Sequence, residues 1–254
     1  MKYLEFKDVS FNYFTLKNEF TALQNLSFSI DKGEFVSIVG PSGCGKTTIL
    51  SLIAGLLEVT SGEILLEGNN LSDANIGYMF QRDHLFEWRT IYQNITLGLE
   101  IKGKKKNVED ANRINDLLTK YGLIDFKNNH PSQLSGGMRQ RVALIRTLAM
   151  QPKLLLLDEP FSALDYQTRL DVCDDVKKII TEQKQTAILV THDISEAISL
   201  SDKVIILTKR PASVKREVQL CFDKNLSPLK RRDDKSFSSY FNLIWEELGN
   251  EKKE

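Results

Sequence analysis

The run Gly40-Pro41-Ser42-Gly43-Cys44-Gly45-Lys46-Thr47-Thr48 has the spacing G-x-x-x-x-G-K-[ST]. Such a loop is suited to phosphate. Its glycines let the backbone curl around phosphate oxygens with no Cβ in the way. Lys46 can reach the β- and γ-phosphates of a nucleotide, and the Thr47 hydroxyl offers an oxygen to Mg2+. An acidic pair, Asp158-Glu159, ends the apolar run Leu154-Leu155-Leu156-Leu157. Asp158 is placed to hold Mg2+, directly or through water, and Glu159 to orient and polarise an attacking water. Ser135-Gly136-Gly137 precedes a helix and forms an anion-binding N-terminus with no lysine of its own. Standing alone, that triplet reads equally well as a plain loop into a helix. His192 lies in Thr191-His192-Asp193, directly after another apolar run, a context that favours chemistry over a purely structural role.

These residues need elements to hold them. Phe35-Val36-Ser37-Ile38-Val39 predicts a strand before the glycine loop, and Thr48 to Ala54 predicts a helix after it. A helix beginning there aims its free N–H groups at the anion. Leu154–Leu157, Ala187–Val190 and Val204–Leu207 are continuously apolar, as central parallel strands covered on both faces are. With the helical stretch from Thr168 to Thr181 between two of them, the layout is a strand–helix alternation around a parallel sheet. The acids then stand at the carboxyl end of a central strand, where open α/β sheets bind ligands. The first thirty residues read differently. Leu4, Phe6, Leu26, Phe28 and Ile30 alternate with polar positions, as in antiparallel strands with one buried face, and Asp31-Lys32-Gly33 signals a turn. From about 83 to 150 the alternation is interrupted. Val108, Ala111, Ile114, Leu117 and Leu118 recur at helical spacing, and Met138 to Met150 predicts another helix. A mainly helical insertion inside the α/β domain is expected. Residues 211–254 read as a peripheral extension with one short helix around Tyr240–Trp245.

Composition sets further bounds. The chain has 254 residues, enough for one large domain or two small ones. Lys plus Arg and Asp plus Glu number 34 each, a balance that argues against a dedicated nucleic-acid binder. No apolar run approaches the ~18 residues of a membrane helix. The charged start, Met1-Lys2-Tyr3-Leu4-Glu5-Phe6-Lys7-Asp8, does not read as a signal peptide. The three cysteines have neither paired nor metal-type spacing, and a reducing cytosol is the simplest compartment. Cys44, at a helix N-terminus, is expected to be a small loop filler whose thiolate is nonetheless favoured enough for an alkylator to block the loop.

With these motifs assembled, the chain resembles the nucleotide-binding subunits of ATP-binding cassette (ABC) transporters over about residues 3 to 210. Gly40 to Thr48 matches the family's Walker A loop and Gln81, in Tyr78-Met79-Phe80-Gln81, its Q-loop glutamine. Leu134 to Met138 matches the signature motif, with Met138 where glutamine is commonest. Leu154 to Glu159 matches Walker B, Ser162-Ala163-Leu164-Asp165 the D-loop, and His192 the H-loop histidine. The resemblance implies a P-loop NTPase fold with a RecA-like core and mainly parallel sheet, an N-terminal antiparallel β subdomain and an inserted α-helical subdomain. It implies an ATP-hydrolysing cassette spanning 1–210 with a C-terminal extension at 211–254. Glu159, His192, Lys46 and Gln81 would be its catalytic residues. ATP would lie against Gly40 to Thr48 and, from a second copy, against Ser135, Gly136 and Gly137. Mg2+ would be held by Thr47, Gln81 and Asp158. Tyr13 matches the aromatic that stacks on adenine, although Tyr13, Phe11 and Phe14 also suit core packing.

The implied partners are a second cassette, most simply an identical copy, transmembrane permease subunits and, indirectly, a solute-binding protein. That places the chain on the cytoplasmic face of the membrane. Leu85, Phe86 and Trp88 suit either a helix core or an interface with the permease. Leu85 to Gly98 and the Lys209-Arg210-Pro211 turn resemble the importers of nitrate, sulfonates and taurine, so a small organic anion is the expected cargo. Vitamin-precursor importers, exporters and non-transport ABC proteins are the alternatives. The run Lys102-Gly103-Lys104-Lys105-Lys106 reads as a solvated loop.

Overall fold

A computed structural model describes residues 2–14, 18–71, 74–103, 108–223 and 226–249. Lys104–Lys106 of the basic run lie outside them. The chain begins with two long strands, β1 (Lys2–Phe14) and β2 (Glu19–Asp31). They pair antiparallel, and β1 also pairs with β4 (Ser61–Leu66), which carries the two-residue strand β5 (Asn69–Asn70). The alternation seen in the sequence is realised: Leu4, Phe6, Leu26, Phe28 and Ile30 are all buried on one face, with Phe6 stacked on Phe28 at 4.3 Å. The predicted turn at Asp31–Gly33 leads into β3 (Phe35–Val39), whose five residues are all buried. α1 (Lys46–Ile53) follows the glycine loop.

The second sheet has six strands in the order β10-β9-β3-β8-β7-β6. They are β6 (Ile76–Met79), β7 (Leu154–Asp158), β8 (Thr186–Val190), β9 (Lys203–Leu207) and β10 (Val214–Gln219) beside β3. Five run parallel, and β10 closes one edge antiparallel to β9. β3 lies between β8 and β9, which explains its wholly apolar surroundings. β7, β8 and β9 are buried along their whole lengths, as continuous apolar runs demand.

Between β6 and β7 the chain forms α2 (Ile91–Ile101), α3 (Val108–Lys120) and α4 (Gly136–Leu148). In α3, Ile114, Leu117 and Leu118 face the core while Val108 is exposed, so the apolar stripe is shorter than its spacing implied. α5 (Tyr166–Glu182) links β7 to β8, and α6 (Ile194–Leu200) links β8 to β9. One apolar cluster joins the inserted helices and α5 to one face of the main sheet, and a second joins the antiparallel sheet and α1 to the other.

After β9 the structure exceeds the single short helix expected. β10 extends the main sheet, α7 (Pro228–Arg232) follows, and α8 (Lys235–Gly249) runs for fifteen residues. Ile244 of α8 is fully buried in a third cluster with Ala197, Ile198, Val204 and Ile206. Among the described residues no helix is long and apolar enough to cross a membrane.

Candidate functional site

The glycine loop leaves the carboxyl end of β3 and closes on α1. Gly43 and Gly45 have φ of 73° and 117°, a backbone that side-chain-bearing residues rarely adopt. A Cβ on Gly40 would fall 2.9 Å from the Cys44 sulfur, and one on Gly45 2.9 Å from Leu23. The loop thus has room for an anion only because these positions are glycine. No side chain caps α1, so its first N–H groups remain available to an anion. Lys46 is buried and its ammonium donates to the carbonyls of Gly40 (2.9 Å) and Pro41 (3.0 Å). The cation is thereby fixed on the loop that must receive phosphate. Ser42, Gly43 and Thr47 face solvent, and Thr48 is buried. Cys44 is only 2% exposed, so an alkylating agent must first open the loop.

Asp158 stands beside this loop at the end of β7. The Thr47 hydroxyl donates to its Oδ1 (3.3 Å) and the Tyr78 phenol donates to its Oδ2 (3.0 Å). Burial pushes the Asp158 carboxyl up, against the hydrogen bonds from Tyr78 and Thr47 and the charge of Lys46, while neighbouring Glu159 pushes it up further. A carboxylate made costly by burial gains from a cation, and the Thr47 and Asp158 oxygens are the hard donors that Mg2+ prefers. The residues present therefore fit the ion. Tyr78 is pushed far up by burial and by Asp158, so its phenol stays a neutral donor.

Glu159 adopts φ of 45°, in the left-handed region. Its amide donates to Val190 of β8 (2.8 Å), and its carbonyl accepts from both the amide and the hydroxyl of Ser162 (3.2 and 3.0 Å). These bonds turn its side chain toward the sheet's carboxyl edge. There Glu159 Oε2 lies 3.0 Å from His192 Nδ1. The Ser162 hydroxyl also accepts from Gln81 Nε2 (3.1 Å). Gln81, Ser162, Glu159 and His192 therefore form one connected row from three separate chain segments. Behind His192, Asp193 caps α6 through the amides of Ser195 and Glu196, and Thr191 donates to buried Glu196 (2.7 Å). Arg169 reaches Asp193 (3.4 Å) and donates to the Leu164 carbonyl (3.0 Å), fixing the loop between Glu159 and α5.

Ser135 is exposed and caps its own helix, accepting from the Met138 amide at 3.4 Å. Gly136 is exposed beside it. Gly137 is buried: a Cβ there would meet Thr168 at 2.8 Å and Val172 at 3.1 Å of α5. Gly137 is therefore required for packing α4 on α5. Further along α4, Arg139 donates to Asp83 (2.7 and 3.2 Å) and Glu87 (2.9 Å), and Arg146 to the carbonyls of His84 (2.8 Å) and Asp83 (2.6 Å). Burial pushes Asp83 up, but the Arg139 guanidinium and the Leu85 amide outweigh it and hold the carboxyl below its ordinary value. Fully buried Asn94 accepts from the Phe86 amide (2.7 Å) and donates to the carbonyls of Phe86, Arg89 and Thr90. The segment after Gln81 is thus fixed rigidly to α4 and α2. It leaves Trp88 75% exposed and in contact with the Phe86 ring, 4.8 Å away. Leu85 points into the core instead.

Tyr13 hydrogen-bonds through its hydroxyl to Thr48 of α1 (3.0 Å), with Phe11 edge-on at 4.8 Å and Phe20 tilted at 5.3 Å. Its ring thus borders the end of the glycine loop. Tyr78, Asp83, Asn94, Arg139 and Arg146 had not been singled out from the sequence. Only Tyr78 carried a readable signal, an aromatic on the strand that delivers Gln81.

The sequence model of the ABC transporter family matches residues 23–162. An uncharacterized ABC transporter ATP-binding protein of Bacillus subtilis (strain 168) is 45% identical over 259 residues, covering 100% of this chain and 98% of that one. A taurine import ATP-binding protein of Roseobacter denitrificans is 40% identical over 234 residues, 89% and 87% of the two chains. Among solved structures, a dimeric post-hydrolysis state of an ATP-binding cassette bound to ADP and Pi is similar with a TM-score of 0.73. It is 34% identical, and the match covers 87% of this chain and 100% of that one. The chain belongs to the ABC transporter family, among its ATP-binding subunits.

Proposed function

We propose that the chain hydrolyses ATP to drive import of a small organic anion, of the taurine, sulfonate or nitrate kind, through a separate membrane permease. The observation that carries this reading is the row Gln81–Ser162–Glu159–His192 beside the glycine loop, with Asp158 and Thr47 between them. Glu159 accepts a proton from a water that attacks the γ-phosphorus in line. A new P–O bond forms, the bond to the β,γ-bridging oxygen breaks, and ADP and phosphate result. Lys46 and His192 face the oxygens on which negative charge builds. Gln81 holds the water or the metal side of the site, and Tyr13 stacks on the adenine. Thr47, Asp158 and Gln81 would hold Mg2+, which would neutralise charge on the phosphates.

Each chain has one glycine loop and one Ser135–Gly137 turn, and Ser135 and Gly136 face outward. Two copies arranged head to tail would complete two sites, each closed by the partner's α4. The similar ATP-binding cassette is dimeric, which supports the pairing of two copies. The exposed Phe86–Trp88 pair is the anchor for the permease, on the cytoplasmic side of the membrane, and the permease receives its cargo from a solute-binding protein. Glu159→Gln should retain ATP binding, lose steady-state hydrolysis by at least about a hundredfold, and accumulate as an ATP-bound dimer in size-exclusion chromatography. Turnover near wild type in that variant would remove Glu159 from its role and this mechanism with it.

A further inference from the structure

At the opposite end of the main sheet from the glycine loop lies a cavity of about 770 Å³. It is bounded by the turn before β3, the second half of α5, the end of β10 and α7. Phe35, the first residue of β3, forms part of its wall, and the glycine loop begins only after the last residue of that strand. The cavity shares no residue with the site described above. It is half open to solvent, and its volume falls in the range of small-molecule clefts.

Its charges are unevenly paired. Arg231 is 4% exposed and donates to the carbonyls of Ser199 (3.3 Å) and Ser201 (2.7 Å), but its buried Nε–H has no partner. Lys177 lies over the Phe35 ring at 4.9 Å with its ammonium 3.6 Å from Asp202 Oδ1. That carboxylate is already shared: its other oxygen accepts from the Phe35 amide (2.9 Å), and Arg231 sits 3.9 Å away. Glu34 is turned toward the Asp31 amide (2.8 Å) and Lys203 (3.8 Å), and Lys32 toward Glu67 (3.0 Å). Asp31 stays on the exposed turn. Lys184, just past the end of α5, has no acidic partner among the described residues. One buried cation, one half-buried and one on the rim therefore share little more than one carboxylate. Burial lowers the Lys177 ammonium to about 8, as an undercompensated interior cation requires. Phe35, Ile180 and Leu220 are buried behind the wall, and half-buried Phe222 supplies the apolar surface, its ring 5.1 Å from the Arg231 guanidinium.

We propose that this cavity binds a small organic anion, its carboxylate or sulfonate against Lys177, Arg231 and Lys184 and its apolar body against Phe222. Such a ligand joins α7 of the C-terminal segment to α5 and to the first residue of the strand that ends in the glycine loop. The inference does not rest on the hydrolytic reading, because its test measures binding alone.

The test is calorimetric titration of the full chain at pH 7 with sodium benzoate, sodium succinate and inorganic phosphate. Excess ADP is kept present so that anions cannot report on the glycine loop. At least one of the organic anions should bind saturably at one site per chain, and phosphate about tenfold more weakly or not at all. Lys177→Gln and Lys184→Gln should each weaken that binding about tenfold, with thermal midpoints close to wild type. Lys184 is exposed, so its variant carries the test even if Lys177→Gln folds poorly. Phe222→Ala should weaken benzoate more than succinate. Absence of binding by both organic anions, or equal binding by Lys184→Gln, would each overturn the proposal.

Discussion

At the scale of single residues, the Asp158 carboxylate is held from two sides, by Thr47 and by Tyr78. In the Mg2+-binding role proposed for Asp158, such partners orient the ligand, and their loss costs about ten- to a hundredfold in metal affinity. Tyr78→Phe should therefore raise the Mg2+ concentration for half-maximal ATPase activity about tenfold, while circular dichroism and thermal midpoint stay near wild type. An unchanged Mg2+ requirement would mean that Asp158 keeps its orientation without the phenol. The glycine loop, Asp158, Glu159 and His192 were legible because each follows an apolar run that had to be a central strand. Tyr78 was not, because a strand tyrosine is read first as packing. Its partnership with Asp158 depends on β6 lying beside β7, across an insertion of more than seventy residues.

At the scale of elements, α4 does two jobs. Its first turn presents Ser135 and Gly136, and its next two turns hold the segment 82–89 through Arg139 and Arg146. Arg139→Ala should release that segment. Hydrogen exchange of the Leu85, Phe86 and Arg89 amides should speed up by about tenfold or more, with β3 and β7 unchanged. Equal protection in the variant would place the restraint in Asn94 instead. The helices α3, α4 and α5 were readable from their spacing, with α3 ending where its pattern ended. β10 was not. Val214-Lys215-Arg216-Glu217-Val218 is polar, and only its place at the sheet edge, paired with β9, makes it a strand. α8 was seen only in part, although Phe237, Tyr240, Phe241, Ile244 and Leu248 repeat at helical intervals.

At the scale of the whole molecule, β10 is built into the main sheet and α8 into its third apolar cluster, so C-terminal and core stability are joined. Lys177, between α5 and this region, reports on that junction. Its folded pKa of about 8 lies below its ordinary 10.5. Between those values the unfolded chain holds a proton that the folded chain has released. Stability contributed through this group therefore rises with pH from about 8 toward 10.5 and is constant and lower below that window. Compared with Lys177→Met, which has no such proton, the wild type should gain in thermal midpoint between pH 8 and pH 9.5 by a few degrees. Parallel curves for the two proteins would show that Lys177 is not titrating across the folding transition.

The left-handed backbone at Glu159 costs of order 1 kcal/mol that a glycine in its place would largely recover. On the mechanism proposed above, heat tolerance and turnover pull this position in opposite directions. Glu159→Gly should therefore raise the thermal midpoint while abolishing the hydrolysis proposed above, a trade that a thermal melt and a phosphate-release assay on the one variant would read together.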